Sequence, residues 1–523
     1  MNPTLASLVY TCGIAGLFYL DRDKSIQTSK ALWLPVIYIW AIGSRPLSVW
    51  LGITPAAGTN VALEGSPIDA AFFAVLLVAA LFVLVHRGRR TLTFLNANLV
   101  ILIYFLVCLF SLIWSDFPSV VLKKWIKAIG DLLMILIVVT DEQPVAALSR
   151  LFSRTGFILM PLSLLFIKYY PDLGRTYDQW TGAQMTTGVT LDKNMLGVIT
   201  FVLSLGALWR VLALLQSDKM DPYRRRHLLA QGTLLVMGVS LLIYANSATS
   251  TVSFALGAGL VCTTRTQFLR RNPIAVHVLV LSLAVTVCLV MVLGGGASAA
   301  AALGRNATLT GRTDIWAAVI PMSPNPLVGA GFESFWLSPG VHERLWDLFP
   351  NLPLNEAHNG YIEVYLNLGW VGLGLVGFIL IDGYRRSVKA FRREPTLGGL
   401  LLAYILATAT YSFTEAGFRM MDPVWIFFLL AVIASNIVTG VGFGAPLPLT
   451  SFDRIPKLEA RKALAMKPTR RTVSGKSSVD RQLDFSPRLK GAVVREIRIG
   501  ILCREFATQN HTSQSFRKLC NFD

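Results

Sequence analysis

Long apolar runs alternate with short polar joints along this chain. The runs fall near 4–20, 31–50, 68–85, 99–114, 126–140, 156–168, 195–215, 229–245, 249–264, 274–294, 361–381, 400–416 and 423–440, thirteen in all. About 20 apolar residues in helical form cross the roughly 30 Å of bilayer hydrocarbon. The pattern predicts an all-α polytopic membrane protein with about 12–13 transmembrane helices. The runs at 126–140 and 156–168 are the weakest and are expected either to span or to be re-entrant. The first run lacks a basic leader and a small-x-small exit, so it is expected to stay as a helix.

Two longer segments interrupt the pattern. One runs from about 169 to 194, the other from about 295 to 360, some 66 residues. The second interleaves Trp, Phe and Pro with Arg, Glu and His, which suits a folded cap on the membrane surface. The chain thus divides into an N-terminal helix bundle (1–294), a large outer loop (295–360), C-terminal transmembrane helices (361–440) and a tail (441–523).

Composition agrees with a membrane class. Hydrophobic residues make up 54% of the 523 and charged residues 15%, against about 25% charged in soluble domains. Six cysteines form no Cys-x-x-Cys pair, so no zinc or redox motif is present. The formal charge is +18. The last 83 residues hold 16 Lys/Arg and 7 Asp/Glu, a balance of +9. Half the excess therefore belongs to a tail expected to be disordered and drawn to lipid headgroups, and not to a nucleic-acid groove.

Lys and Arg also sort the loops. Arg22, Lys24 and Lys30, then Arg87, Arg89 and Arg90, Arg150 and Arg154, Lys219 and Arg224, Arg265 and Arg270, and Arg385 to Arg393 fall in alternate loops. Positive loops face the cytoplasm, so the tail is expected inside and the two long segments outside. Lys123, Lys124 and Lys127 are the exception, on the outer side.

Candidate chemistry concentrates in those outer segments. Thr313 or Asp314 is placed to cap a short helix bearing Ile315, Trp316, Val319 and Ile320. Arg312 beside that N-terminus offers either an anion site or a contact to lipid phosphate. The run Asn325-Pro-Leu-Val-Gly-Ala-Gly-Phe-Glu333 lacks the third glycine and the βαβ context of a dinucleotide site and reads as a turn. In Glu356-Ala-His-Asn-Gly-Tyr361, His358 precedes a helix whose positive end disfavours imidazolium. A neutral imidazole there is either a general base near pH 7 or a capping group. His342 is a second loop histidine, and two histidines without clustered carboxylates make a poor metal site. Arg175, Lys193 and Asn194 lie in the other outer segment, the last two at a helix start. Arg45, Asp131, Arg210, Glu415 and Arg419 stand in or beside apolar runs, where a charge at mid-helix costs roughly 2.5–3.5 kcal/mol; each is a site candidate, although Arg210, near a cytoplasmic end, reads better as a snorkelling cation.

Three of these features coincide in one order: Lys193-Asn-x-x-Gly197; Arg312-x-x-x-Trp316 followed by Asn-Pro-x-x-Gly-x-Gly; and His358-Asn359-x-Tyr361 followed by Leu368-Gly-Trp-Val-Gly372. Together they resemble the O-antigen ligase and Wzy-type polymerase superfamily over about residues 30–440, nearest its ExoQ-type exopolysaccharide polymerases. The resemblance implies a GT-C-like helical fold and a metal-independent, inverting glycosyltransferase without cofactors. The donor would be an oligosaccharide on undecaprenyl pyrophosphate, used at the periplasmic face of a bacterial inner membrane. Membrane lipids, a flippase and a chain-length regulator would be its partners. It implies that His358 is the base and that Arg312 holds the pyrophosphate. Arg175, Lys193, Asn194, Asn359, Glu356 and Trp316 would bind substrate. The ligases carry an arginine where this chain reads Asn246-Ser-Ala-Thr-Ser-Thr251. That departure favours a polymerase over transfer to lipid A-core. A transporter of lipid-linked sugars shares the span count, but the paired repeats of transporters are not evident.

Overall fold

The structure, a computed structural model, describes residues 2–23, 26–53, 65–177, 182–217, 223–292, 309–350 and 354–439. The expected tail and the first part of the large loop lie outside them. Fifteen helices of ten residues or more occur among the described residues: α1 (Pro3–Leu20), α2 (Trp33–Ile42), α3 (Pro67–Arg87), α4 (Leu99–Phe110), α5 (Pro118–Val139), α6 (Pro144–Tyr169), α7 (Lys193–Gln216), α8 (Arg224–Ala245), α9 (Ala248–Thr263), α10 (Pro273–Val292), α11 (Leu309–Val319), α12 (Pro339–Leu348), α13 (Gly360–Arg393), α14 (Pro395–Tyr411) and α15 (Pro423–Thr439).

Each of the thirteen apolar runs coincides with a helix. Six helices are long and apolar enough to cross a membrane alone, and a pair bent by 84° (Arg89–Asn96 with Leu99–Ile113) makes a seventh. Five more apolar helices are 10–17 residues long. The remaining one is α5, a helix whose apolar residues are diluted by Lys123, Lys124, Lys127 and Asp131. The two weakest runs prove to be parts of continuous helices, α5 of 22 residues and α6 of 26. Their position explains the weak signal. In the apolar stretch of α6, 72% of residues are buried inside the protein, against 17% in α3. A central helix meets side chains rather than lipid, so it tolerates polar groups that find partners. Ser153 of α6, for example, accepts a hydrogen bond from Gln231 at 2.7 Å.

Polarity is inverted relative to a soluble protein. Val75, Val78, Phe82 and Val85 of α3 face outward, as lipid contact requires. The interior instead holds Thr200, Ser204, Gln231 and Asp131. Phe152, Trp209, Tyr404 and Phe427 form a ring cluster joining α6, α7, α14 and α15. Around it α14 and α15 are buried along almost their whole length.

The described part of the outer loop folds as a cap. Ile315, Val319, Phe335, Val341, Leu345, Leu354 and Ala357 close a small apolar core against Leu366 of α13. The other outer segment carries an antiparallel hairpin, β1 (Arg175–Tyr177) with β2 (Gln184–Thr186), Arg175 opposite Thr186.

One joint fixes the cap to the bundle. Helix α13 breaks at Gly369, whose φ is +61°. The break exposes backbone groups to the 325–331 turn. Trp370 and Val371 donate to the carbonyls of Pro326 and Leu327, while Ala330 and Gly331 donate to those of Leu366 and Asn367. A Cβ on Gly369 would meet the Leu327 carbonyl carbon at 2.2 Å, and one on Gly329 the Asn367 carbonyl carbon at 2.4 Å. The two glycine motifs are therefore halves of one backbone contact.

Gly369→Ala should lower stability by about 1–3 kcal/mol, since it adds both left-handed strain and a clash. Gly377→Ala, where a Cβ meets nothing within 4 Å, should leave it unchanged or raised. Thermal unfolding in detergent compares the two.

Candidate active site

The site forms where the cap meets two ends of the bundle. Asn359 caps α13: its side-chain oxygen accepts from the backbone of Tyr361 at 3.0 Å and of Ile362 at 3.1 Å. Its amide donates to the Phe413 carbonyl at 3.1 Å. Gly360 donates its N–H to the carbonyls of Ser412 (2.8 Å) and Glu415 (2.9 Å). These bonds clamp the 412–422 turn, which joins α14 to α15, against the start of α13. His358 lies just before the cap residue, with φ +49°. Glu333 (+56°) and Met421 (+58°) share this sparsely populated backbone state. Three of the four such non-glycine residues described thus surround one site, where strain commonly collects.

The side chains converge on two carboxylates. His358 Nδ1 lies 2.8 Å from Glu356 Oε1 and 3.4 Å from Glu415 Oε2. Carboxylates only accept, so Nδ1 carries the proton and Nε2 points to neither of them. Among the described residues Nε2 has no partner. The other oxygen of Glu415 pairs with Arg312 at 3.2 Å, and Arg312 also donates to the Thr414 carbonyl. These two bonds use part of the five guanidinium donors, so the rest can meet an anion. Beyond them Arg419 bridges Glu356 (3.8 Å) and Glu333 (3.4 Å), and Lys124 of α5 lies 3.6 Å from Glu333. Glu363 holds the strand of chain before His358: it accepts from the Ala357 backbone and from Trp336 Nε1 at 2.9 Å.

This geometry corrects the expectation of a neutral imidazole. Hydrogen bonds to Glu356 and then Glu415 outweigh burial and push His358 up to about 9. A helix terminus contributes only about 0.3–1 kcal/mol. Two charge-assisted contacts exceed it, at roughly 1.5–3 kcal/mol each when well formed. Glu356 shifts the other way. Burial raises it, but the hydrogen bond and charge of His358, with Arg419 and Arg312, hold it below the usual carboxylate range.

The remaining expectations divide. Arg312 sits inside the first turns of α11, which begins at Leu309, so neither Thr313 nor Asp314 caps it. Trp316 donates from Nε1 to the Ala357 carbonyl at 2.8 Å, and so positions the His358 segment. Lys193 and Asn194 open α7, capped by Asp192. One turn on, Gly197 packs on Ser247 and Ser250, and neighbouring Thr249 meets Thr414 at 3.1 Å. That places the Lys193 end of α7 beside the Arg312 contact. Arg175 instead donates to the Ile167 carbonyl at 2.9 Å and has no contact with the His358 cluster among the described residues. Among the described residues His342 meets no second histidine; its Nε2 lies 2.7 Å from the Trp336 carbonyl. Glu415 and Arg419 were legible as charges beside apolar runs, but their role as partners of His358 and Glu356 was not.

Glu356, His358 and Glu415 place three ligand-type atoms within 4.8 Å of one another. Carboxylates thus do cluster with a histidine, contrary to the sequence reading. Arg312 and Arg419 already occupy both of them, so a divalent cation would have to compete with two guanidinium groups.

Residues 233–377 match a family model described as O-antigen ligase. That segment holds Arg312, the 325–331 turn, His358 and the Gly369 break, but not Glu415 or Arg419. The exopolysaccharide production protein ExoQ of Rhizobium meliloti (strain 1021) is 26% identical over 292 residues, which cover 54% of this chain and 64% of ExoQ. The chain thus spans under two thirds of that relative's length. Both findings agree with the resemblance carried by the motifs.

Glu415→Gln and Glu356→Gln should each lower the pH at which His358 loses its proton, from about 9 towards 6.5. Carbethoxylation of the His358 peptide as a function of pH, followed by mass spectrometry, reads this directly, because only neutral imidazole reacts.

Proposed function

We propose that this chain, a multi-pass membrane relative of the O-antigen ligases and Wzy-type polymerases, joins lipid-linked oligosaccharide repeat units into exopolysaccharide. The donor is a glycan on undecaprenyl pyrophosphate, and the reaction runs at the periplasmic face of the inner membrane without a metal. The observation that carries the reading is Glu415: one carboxylate holds both His358 and Arg312. A base and a cation sharing one buried anchor suit a transfer that needs both at once.

The proposed step follows from that layout. His358 Nε2 takes the proton of an acceptor hydroxyl, and the hydroxyl oxygen attacks the anomeric carbon from the face opposite the pyrophosphate. The glycosidic C–O bond to pyrophosphate breaks, and the electron pair leaves with the phosphate oxygen. The stereochemistry at that carbon inverts. Arg312 meets the developing charge, with Lys193 and the α7 N-terminus on the same side. Glu356 and Glu415 keep the Nδ1–H pointed inward and stabilise the imidazolium that forms. Asn359 and Trp316 act by fixing the His358 segment. Polymerisation is favoured over ligation because the 246–251 stretch offers hydroxyls and no arginine.

The test uses detergent-purified protein, a defined lipid-pyrophosphate repeat unit and EDTA, with products resolved on a gel. Wild type should give a ladder, and His358→Ala should lower its rate by about 10²–10⁴. A full ladder from well-folded His358→Ala would refute the base role. Transfer only to added lipid A-core would move the activity to ligation, and no transfer to either would favour transport. The wild-type rate should rise with pH towards about 9, because the base is the deprotonated form. Arg312→Lys keeps the charge but loses the fork, and should lose most of the rate.

A further inference from the structure

Asp131 is the one fully buried carboxylate of α5, and the transfer step leaves it without a task. Its side chain is 0% exposed, as is that of Tyr38 on α2. The Tyr38 hydroxyl donates to Asp131 Oδ1 at 2.7 Å, and the Met421 backbone N–H donates to Oδ2 at 2.9 Å. Gly130 makes room for this arrangement, since a Cβ there would lie 3.3 Å from the Tyr38 hydroxyl. No cation pairs with Asp131 among the described residues. An acidic group so deep in a membrane protein is costly, and an apolar side chain would fill the place without that cost.

Met421 is the point of leverage. It belongs to the 412–422 turn that presents Glu415 and Arg419 to the site. The outer end of that turn is tied by Arg312, Asn359 and Gly360. Its inner end is tied by Asp422, which caps α15 through the Val424 N–H at 2.6 Å, and by Asp131 through Met421. The strained backbone of Met421, at φ +58°, needs such a partner to persist.

We infer that Asp131, oriented by Tyr38, is a positioning residue that sets the reach of Glu415 and Arg419 towards His358 and Glu356. It acts by accepting the Met421 N–H. Both ionisation states keep that bond, because a protonated Oδ1 can donate to the Tyr38 oxygen while Oδ2 still accepts. Asparagine reproduces the protonated pattern, whereas leucine removes the acceptor. The inference rests on the proposed transfer only for its kinetic readout.

The experiment follows His358 carbethoxylation against pH in detergent-purified full-length protein without substrate. The charged groups that set its midpoint are Glu356, Glu415, Arg312 and Arg419. Asp131→Leu should move the midpoint down by about one pH unit or more, because Glu415 withdraws from the ring. Asp131→Asn should leave it within a few tenths. Tyr38→Phe deletes one hydroxyl and should move it the same way by less. In the repeat-unit transfer assay, Asp131→Leu should lower the alkaline plateau of the rate by about 10²-fold, the cost of misplacement by roughly 1 Å. Asp131→Asn should keep it. An unmoved midpoint in folded Asp131→Leu would overturn the inference, as would equal shifts in the Leu and Asn variants. If Asp131→Leu does not fold, an unmoved midpoint in Tyr38→Phe overturns it instead. Absence of transfer by wild type would reject the proposed function and leave the titration test of Asp131 intact.

Discussion

The site depends on the Glu415 carboxylate. It lies in a turn between two buried helices, 8% exposed, and holds Arg312 of the cap and His358 at the mouth of α13. A buried carboxylate with one cation removed is left uncompensated, which costs several kcal/mol. Cap, turn and helix end therefore hold together through Glu415. The same contacts decide the chemistry, because they fix which imidazole nitrogen carries the proton and how tightly.

A second constraint sets where that cluster can sit. In the bilayer, backbone groups must find partners within the protein. The Gly369 break in α13 frees such groups, and the 325–331 turn satisfies them. The cap is thus seated by backbone bonds, and Glu333 is delivered next to Arg419 and Lys124 by the residues that follow the turn. From the opposite side α5 contributes Asp131 and α2 Tyr38, both inside the bundle. The site is therefore supported from the cap and from the membrane interior together.

Much of the fold was legible because lipid-facing helices must be apolar: α1, α3 and α8 carry continuous runs. Central helices escape that rule, so α5 and α6 read as weak spans although they are among the most buried. The candidate site was legible where residues are close in sequence, as with His358, Asn359 and Glu356. Arg312 was found as a charge, but its partner lies 103 positions away in sequence. The neutral state expected for His358 failed for the same reason. A helix terminus is visible in the sequence, whereas the fold that turns Glu356 onto the ring and brings Glu415 to it from 57 residues downstream is not. Nor did spacing reveal that the Asn-Pro-x-x-Gly-x-Gly and Leu-Gly-Trp-Val-Gly motifs are two sides of one contact.

The most direct measurement of the central claim is a double-mutant cycle on transfer of a defined lipid-pyrophosphate repeat, using Arg312→Ala, Glu415→Gln and the double variant at one pH. If Glu415 joins base and cation into one unit, the double variant should lose about as much rate as the worse single variant, a coupling of roughly 1–3 kcal/mol. Losses that simply add would mean that Arg312 and Glu415 act separately, and would contradict the account.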